Sequence, residues 1–354
     1  MADDKDTATA PSAPKPVAPT LIRVVDSLLD AMVDGREYQS IVDAVPAPTL
    51  NVVGEVQRAL CEIEGVRDRP CLAYVGNVVS VAGPGSELGP LDDLPFAEMI
   101  ASIPADQRKA DVFLVTNGGS GQQVGRFVDA LRSRFDEIDF LIPSFCMSAG
   151  TMFALSGDNI WMTERACLGP IDPQVPTADG RFVPAQALLL LVEKLQKDGQ
   201  EALKTEGTIP WTAVRIVDKI DKKELGEAIT ASDYAKKMAQ EFLEKYKFRQ
   251  WMVRSTSGHP VDAEYKRKRA IAIAEELCSH ERWKSHGHAI NRDVLWREIQ
   301  LKIEHPQGGL LRAITRTWAL LTYIFEKTAI QKFIVARDYT LIRIVQPQQQ
   351  PTKT

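Results

Sequence analysis

The sequence predicts an α/β protein built on parallel strands, and two observations carry that prediction. The first is the order of segments between Asp111 and Gln174. Apolar, β-branched DVFLVT stops at Asn117-Gly118-Gly119, a helical run follows from Gln122 to Phe135, a second strand IDFLIP comes next, and Ser148-Ala149-Gly150 opens another helix. That is a βαβα unit. The second is bulk: at 354 residues, 44% hydrophobic and 25% charged, the chain can bury a substantial core.

The elements follow in order. Residues 1–20, MADDKDTATAPSAPKPVAPT, are polar and Ala/Pro-rich and read as a disordered tail. Residues 21–65 carry apolar side chains at helical spacing (Ile22, Val25, Leu28, Leu29, Met32), broken near Pro46 and Pro48, and read as an N-terminal helical extension. CLAYVGNVVSV, from Cys71 to Val81, is the first strand of a core assigned to 66–250. The Gly/Pro-rich loop AGPGSELGPLDDLP follows it and borders the expected cleft. Thr230–Tyr246 and Val261–Cys278 are helical and charged, and residues 251–305 are assigned to a helical C-terminal part of the core. Residues 306–345 form an amphipathic C-terminal helix region, with Leu310, Ile314, Trp318, Leu321 and Phe325 on one face; the charges Arg312, Arg316, Glu326, Lys327 and Lys332 interrupt it too often for a membrane span. Such a face packs on its own protein or a second subunit, with a membrane surface as the alternative. Residues 346–354 are a flexible tail.

The chemistry follows from where a βαβα unit places its groups. Glycines after a strand let backbone N–H groups turn into the space beyond the strand's carboxyl end, where ligands of open α/β sheets sit. A serine at a helix start feels the positive end of the helix dipole, which favours a developing oxyanion. Gly118, Gly119 and the Ala149 N–H can therefore surround one carbonyl that Ser148 attacks. Taken singly, a Gly-Gly pair is also an ordinary turn and a helix-start serine an ordinary cap. Cys146, two residues earlier, is the rival nucleophile, although the end of an apolar strand suits a buried structural thiol better.

The GG turn, the SAGT helix start, ALSGDNIWM and LGPIDPQ together resemble the serine dehydrogenase proteinase family, a branch of the Clp-fold serine peptidases related to Clp protease and signal peptide peptidase A. The likeness is strongest over Ala110–Gln174 and looser across the rest of the core; WKSHGHAI, Trp283–Ile290, resembles a late Trp-x-x-His-x-x-x-Ile element of the same family. The resemblance implies a Clp/crotonase-type fold of repeated ββα units, Ser148 as nucleophile, and Gly118, Gly119 and Ala149 as the oxyanion hole. It also implies a homo-oligomer acting on polypeptide. One departure is local: the related peptidases carry Pro-Gly-Gly at the turn, and this chain has Asn117 before the pair.

The general base stays open between several residues. Clp protease supplies a histidine roughly two dozen residues after its serine, but Leu168–Gln174 holds none, and Asp172 stands in that place. Asp172 can orient a base or accept a proton, or serve as a turn residue before Pro173. Signal peptide peptidase A and its relatives use a downstream lysine. Lys194 and Lys197, in AQALLLLVEKLQK, are the candidates here, although the matching register falls near Gln186. His286 is the third candidate, since triad partners need only meet in space. His280, His286 and His288 without a flanking Cys or carboxylate pattern do not read as metal ligands.

Composition narrows the partners. A net charge of −4 gives no reason to expect nucleic acid. The glycines 119, 121 and 125 miss the dinucleotide spacing and no GxxxxGK[ST] occurs, so no cofactor and no ATPase activity are expected, and any unfoldase is a separate chain. The N-terminus has neither a basic n-region nor an apolar h-region, and five scattered cysteines fit reduced thiols, so the expected compartment is the cytoplasm, with peripheral membrane attachment as the alternative. The expected function is a serine peptidase working through an acyl-enzyme. The competing reading is a silent scaffold or an acyl hydrolase that keeps the oxyanion hole.

Overall fold

The computed structural model describes residues 23–80, 85–177, 180–254 and 257–345; the two terminal tails predicted from sequence and the Val81 end of the first strand lie outside them. The chain begins with β1 (Arg23–Val25), α1 (Leu28–Ala31), α2 (Glu37–Val42), β2 (Ala44–Pro46) and α3 (Val52–Arg67). The expected helical extension is thus interrupted by two short strands, which pair in parallel. β3 (Cys71–Gly76) stops short of the predicted strand because the Asn77 side chain accepts the N–H groups of Val79 and Ser80 and turns the chain.

The expected βαβα unit follows: α4 (Asp93–Ala101), β4 (Lys109–Val115), α5 (Gly121–Arg134), β5 (Glu137–Ile142), β6 (Phe145–Cys146) and α6 (Ala149–Leu155). Next come β7 (Asn159–Met162), β8 (Cys167–Leu168), the antiparallel pair β9 (Gln174–Pro176) and β10 (Phe182–Pro184), then α7 (Ala185–Thr205), α8 (Trp211–Lys219) and α9 (Lys222–Phe242). The chain closes with α10 (Ala263–Cys278), α11 (His280–Trp283), β11 (Ile290–Asn291), α12 (Arg292–Arg297), α13 (Gly308–Lys327), β12 (Ile330–Ala336) and β13 (Tyr339–Ile344).

Six strands form the central sheet in the order β13-β12-β3-β4-β5-β7; β3, β4, β5 and β7 run parallel, and β12 closes one side antiparallel to β3. Its inner strands are mostly apolar because both faces are covered. Cys71, Ala73 and Val75 face a layer built from α3 and α13, while Leu72 and Tyr74 face the layer that includes Phe96, Phe127 and Phe153. A second sheet, β11-β8-β6, is made of the short strands that follow β5 and β7 and of the late strand β11. Main-sheet strand, short strand, helix (β5, β6, α6) is one ββα unit.

The C-terminal region corrects the reading of 306–345 as a helix region. The helix ends at Lys327, and Ile330–Ala336 is a strand buried along its whole length. No glycine or proline marks the change; pairing with β3 and β13 decides it. Even Lys332 is buried there, its ammonium held by the Asp92 carboxylate and the Glu87 carbonyl at 2.6 Å each. The apolar face of α13 packs on its own chain: Leu310, Ile314, Leu321 and Phe325 are buried with α3, and Arg316 reaches Glu62 at 2.9 Å. Among the described residues no helix is long and apolar enough to cross a membrane.

Candidate active site

The site gathers where β4 and β5 end. After β4 the chain turns through Gly118 (φ 109) and Gly119 (φ 139), backbone angles that L side chains rarely adopt. Both glycines are also required by close approach. A Cβ on Gly118 would lie 2.7 Å from the Ser148 Cβ, and one on Gly119 would lie 2.2 Å from the Leu88 carbonyl oxygen. The turn is clamped by the preceding loop: the Leu88 N–H donates to the Gly118 carbonyl at 2.8 Å, and the Ser120 N–H donates to the Leu88 carbonyl at 2.9 Å. The loop expected beside the cleft thus forms one wall of the turn. Asn117, standing where related peptidases have proline, is exposed and the turn is held without it.

The two glycine N–H groups are not equivalent. That of Gly118 donates to Thr116 Oγ1 at 3.0 Å, whereas that of Gly119 has no partner among the described residues and lies at an exposed position. Of the three expected N–H groups, that of Gly118 is thus already engaged, while that of Ala149 opens α6 and has no preceding turn to bond.

Ser148 has φ 52 and ψ −117, a strained conformation for a side-chain-bearing residue. Strain of this kind at a strand-to-helix turn presents a hydroxyl at the top of a sheet. The Ser148 side chain makes no capping bond, so the reading of this serine as an ordinary N-cap does not hold. Neighbouring bonds fix its backbone. The Thr151 hydroxyl lies 2.9 Å from the Cys146 carbonyl and accepts the Gly169 N–H at 2.9 Å, tying α6 to the end of β8. Cys146 is fully buried, and burial pushes its thiol well above the usual range, which disfavours the thiolate.

The small sheet determines what stands beside the serine. Leu168 pairs in parallel with Cys146 and antiparallel with Ile290. Residues that follow β6 (Ser148), residues that follow β8 (Asp172) and residues that precede β11 (His286) are therefore all delivered to one end of this sheet. There the buried Asp172 carboxylate lies 2.6 Å from His286 Nδ1 and 3.3 Å from His280 Nδ1. A carboxylate can only accept, so His286 donates from Nδ1, which in the neutral imidazole leaves Nε2 as an acceptor. The Trp-x-x-His-x-x-x-Ile spacing has a structural cause: Trp283 is buried with its indole N–H on the Glu276 carbonyl at 2.7 Å, Ile290 is buried on β8, and His286 is held between these anchors.

Lys194 and Lys197 stand exposed on α7 and take no part in this cluster. Gln186, at the register of the relatives' lysine, does reach it, accepting the His280 N–H at 3.3 Å. Sequence reasoning missed His280 as a partner of Asp172 and missed Thr116 and Thr151 as backbone clamps. The threonines stand inside DVFLVT and SAGT, where a signal was present.

Two uncharacterized proteins of Methanocaldococcus jannaschii are similar to this chain, at 34% identity over 28% of this chain and 32% of the relative, and at 31% over 26% and 30%. The chain thus spans about a third of the length of the curated relatives it matches. Among solved structures, a membrane-bound stomatin-specific protease in complex with a substrate peptide is 12% identical over 63% of this chain and 72% of its own, with a TM-score of 0.36. An enoyl-CoA hydratase from Mycobacterium smegmatis is 13% identical over 62% and 97%, with a TM-score of 0.25. Residues 96–272, half of the 354-residue chain, match the family of ClpP-like SDH-type serine proteinases. With its ββα units, its parallel core and this match, the chain has the Clp/crotonase-type fold and belongs to the ClpP-like SDH-type serine proteinase family.

Proposed function

We propose that the chain hydrolyses peptide bonds through an acyl-enzyme on Ser148, with His286 as general base oriented by Asp172. The observation that carries this reading is the 2.6 Å contact of His286 with buried Asp172, at the end of the small sheet to which Ser148 also belongs. The Ser148 oxygen attacks the scissile carbonyl carbon while its proton passes to His286 Nε2. The oxyanion so formed is met by the N–H groups of Gly119 and Ala149, and the amine leaves with the proton from His286. Water then attacks the ester by the same route and frees Ser148. His280 is a second donor to Asp172 and a positioning residue.

The substrate of this reading is polypeptide. α8 leaves Trp211, Val214 and Val217 exposed, which supports a homo-oligomer rather than an isolated chain. Activity is proposed for the cytoplasm, with a membrane face or a separate ATPase as further partners.

A fluorophosphonate probe tests the reading. Labelling should map to Ser148, and Ser148→Ala should abolish both labelling and hydrolysis while the protein still folds, because the hydroxyl makes no capping bond. Peptide hydrolysis that persists at full rate in Ser148→Ala removes the serine mechanism; an assembled wild-type protein that never labels favours the silent scaffold.

A further inference from the structure

A sizeable cavity lies away from Ser148. It has a volume of about 730 Å³, and its wall includes Glu137 at the start of β5 and Asn159 at the start of β7. The glycine turn and Ser148 follow the opposite ends of β4 and β5, so the cavity opens at the other end of the central sheet. Its volume falls in the range of roughly 300–1,000 Å³ common for small-molecule sites.

The charges on its wall do not balance. The two carboxylates are already matched: Glu137 is met by Arg69 and Lys109 at 3.0 Å each, and Asp158 by Arg132 at 2.8 Å and Arg249 at 2.7 Å. The cations Lys247, Arg254, Arg269 and Arg297 line the same space without a carboxylate partner among the described residues. Arg254 is the sharpest case. Its Nε is buried with no hydrogen-bond partner among the described residues, while its guanidinium carbon lies 3.6 Å over the Tyr265 ring. Burial lowers the Lys247 ammonium to about 8, which a nearby anion would offset.

The remaining wall is aromatic. Trp251, Tyr265 and Trp296 line the cavity, with Trp251 tilted on Tyr265 at 5.6 Å between ring centres and Trp296 exposed. Guanidinium forks recognise phosphate and carboxylate oxygens, and flat rings take up a planar group.

We propose that this cavity binds a small anionic molecule carrying a planar ring system, at a site separate from the peptidase centre. The ring lies against Trp251, Tyr265 and Trp296, and the anionic group is held by Arg254 and Arg297. Two sources share this chemistry, a phosphorylated nucleoside and an aromatic carboxylate. The reading is independent of the Ser148 mechanism.

Isothermal titration of the full chain separates the cases, using AMP and 2-naphthoate as probes, adenosine as the uncharged ring and inorganic phosphate as the ring-free anion. AMP or 2-naphthoate should bind with at least ~10-fold higher affinity than adenosine or phosphate, a difference of about 1.4 kcal/mol, since the bond to the guanidinium is charge-assisted. Preference for AMP identifies the phosphate source, and preference for 2-naphthoate the carboxylate source. Arg254→Gln should weaken binding by ~10-fold or more. Arg297→Gln, on an exposed side chain that the fold does not need, should weaken it in the same direction. Ser148→Ala should bind as wild type does. Failure of both charged probes to bind, equal binding of adenosine, or binding unchanged in both arginine variants overturns the proposal.

Discussion

The two ends of the central sheet are built on opposite principles. At the carboxyl ends of β4 and β5 the chain leaves groups unsatisfied: the Gly119 N–H has no partner among the described residues, Ser148 sits at φ 52, and its hydroxyl caps nothing. At the amino ends the carboxylates are paired. Arg67 holds Asp111 at 2.8 and 3.1 Å and Asp139 at 2.7 Å, and Asp139 also accepts from Asn159 and the Trp161 indole. Strained conformations persist only when the surrounding structure over-determines them. The difference teaches that the same strands end in unsatisfied groups on one side and in paired charges on the other; on the proposed function, substitutions at the Ser148 end should alter rate and those at the other end stability.

The sharpest test of the Ser148 end is Asp172→Asn. An amide at this position accepts from His286 less well and can present its own NH₂, favouring the wrong tautomer, so the rate should fall on the order of 10³–10⁴-fold with little change in stability. His286→Ala should cost a similar factor, and the double variant little more than either single one, because the two act as a unit. Independent, additive losses in steady-state peptide hydrolysis would break the pairing.

Gly119→Ala should have the next largest effect. Its Cβ would meet the Leu88 carbonyl at 2.2 Å from a backbone at φ 139, so the turn has to move and take the N–H with it. The rate should drop by at least ~10²-fold, as expected for loss of one oxyanion donor. A normal rate would mean that the Gly119 N–H does not face the reacting carbonyl.

What the sequence made legible follows the same division. Gly118-Gly119 and Ser148 are read from local spacing because a turn and a helix start are fixed by neighbouring residues. The proposed base is not local: 114 positions separate Asp172 from His286, and only the pairing of β8 with β6 and β11 brings their segments together. Asp111 and Asp139 read as ordinary strand residues, since nothing adjacent marks Arg67 as their partner. β12 was hidden for a related reason. Its strand state comes from pairing with β13 and with β3, the latter more than two hundred positions earlier, while no glycine or proline separates its sequence from α13.

At the paired end, Asp139→Asn should act on stability alone. Asn at 139 leaves the Arg67 guanidinium short of a charged acceptor and cannot serve both Asn159 and Trp161 as the carboxylate does, so denaturation should cost about 2 kcal/mol less. The rate per folded, titrated active site should stay as in wild type. A matching loss of rate in protein shown to be folded would mean that the two ends of the sheet are coupled.

The smallest effects are expected from Lys194→Ala and Lys197→Ala, which lie on an exposed helix outside the site. Each should change stability by no more than about 0.5 kcal/mol and leave peptide hydrolysis unaltered. The pH profile makes the pair decisive. A lysine base works as the neutral amine, so activity would climb into the alkaline range, whereas an imidazole base gives a limb at roughly pH 6 to 7. An alkaline limb that disappears in either lysine variant would return the base to α7. An unaltered profile in both variants, beside an inactive but folded His286→Ala, leaves the Asp172–His286 pair as the group that moves the proton.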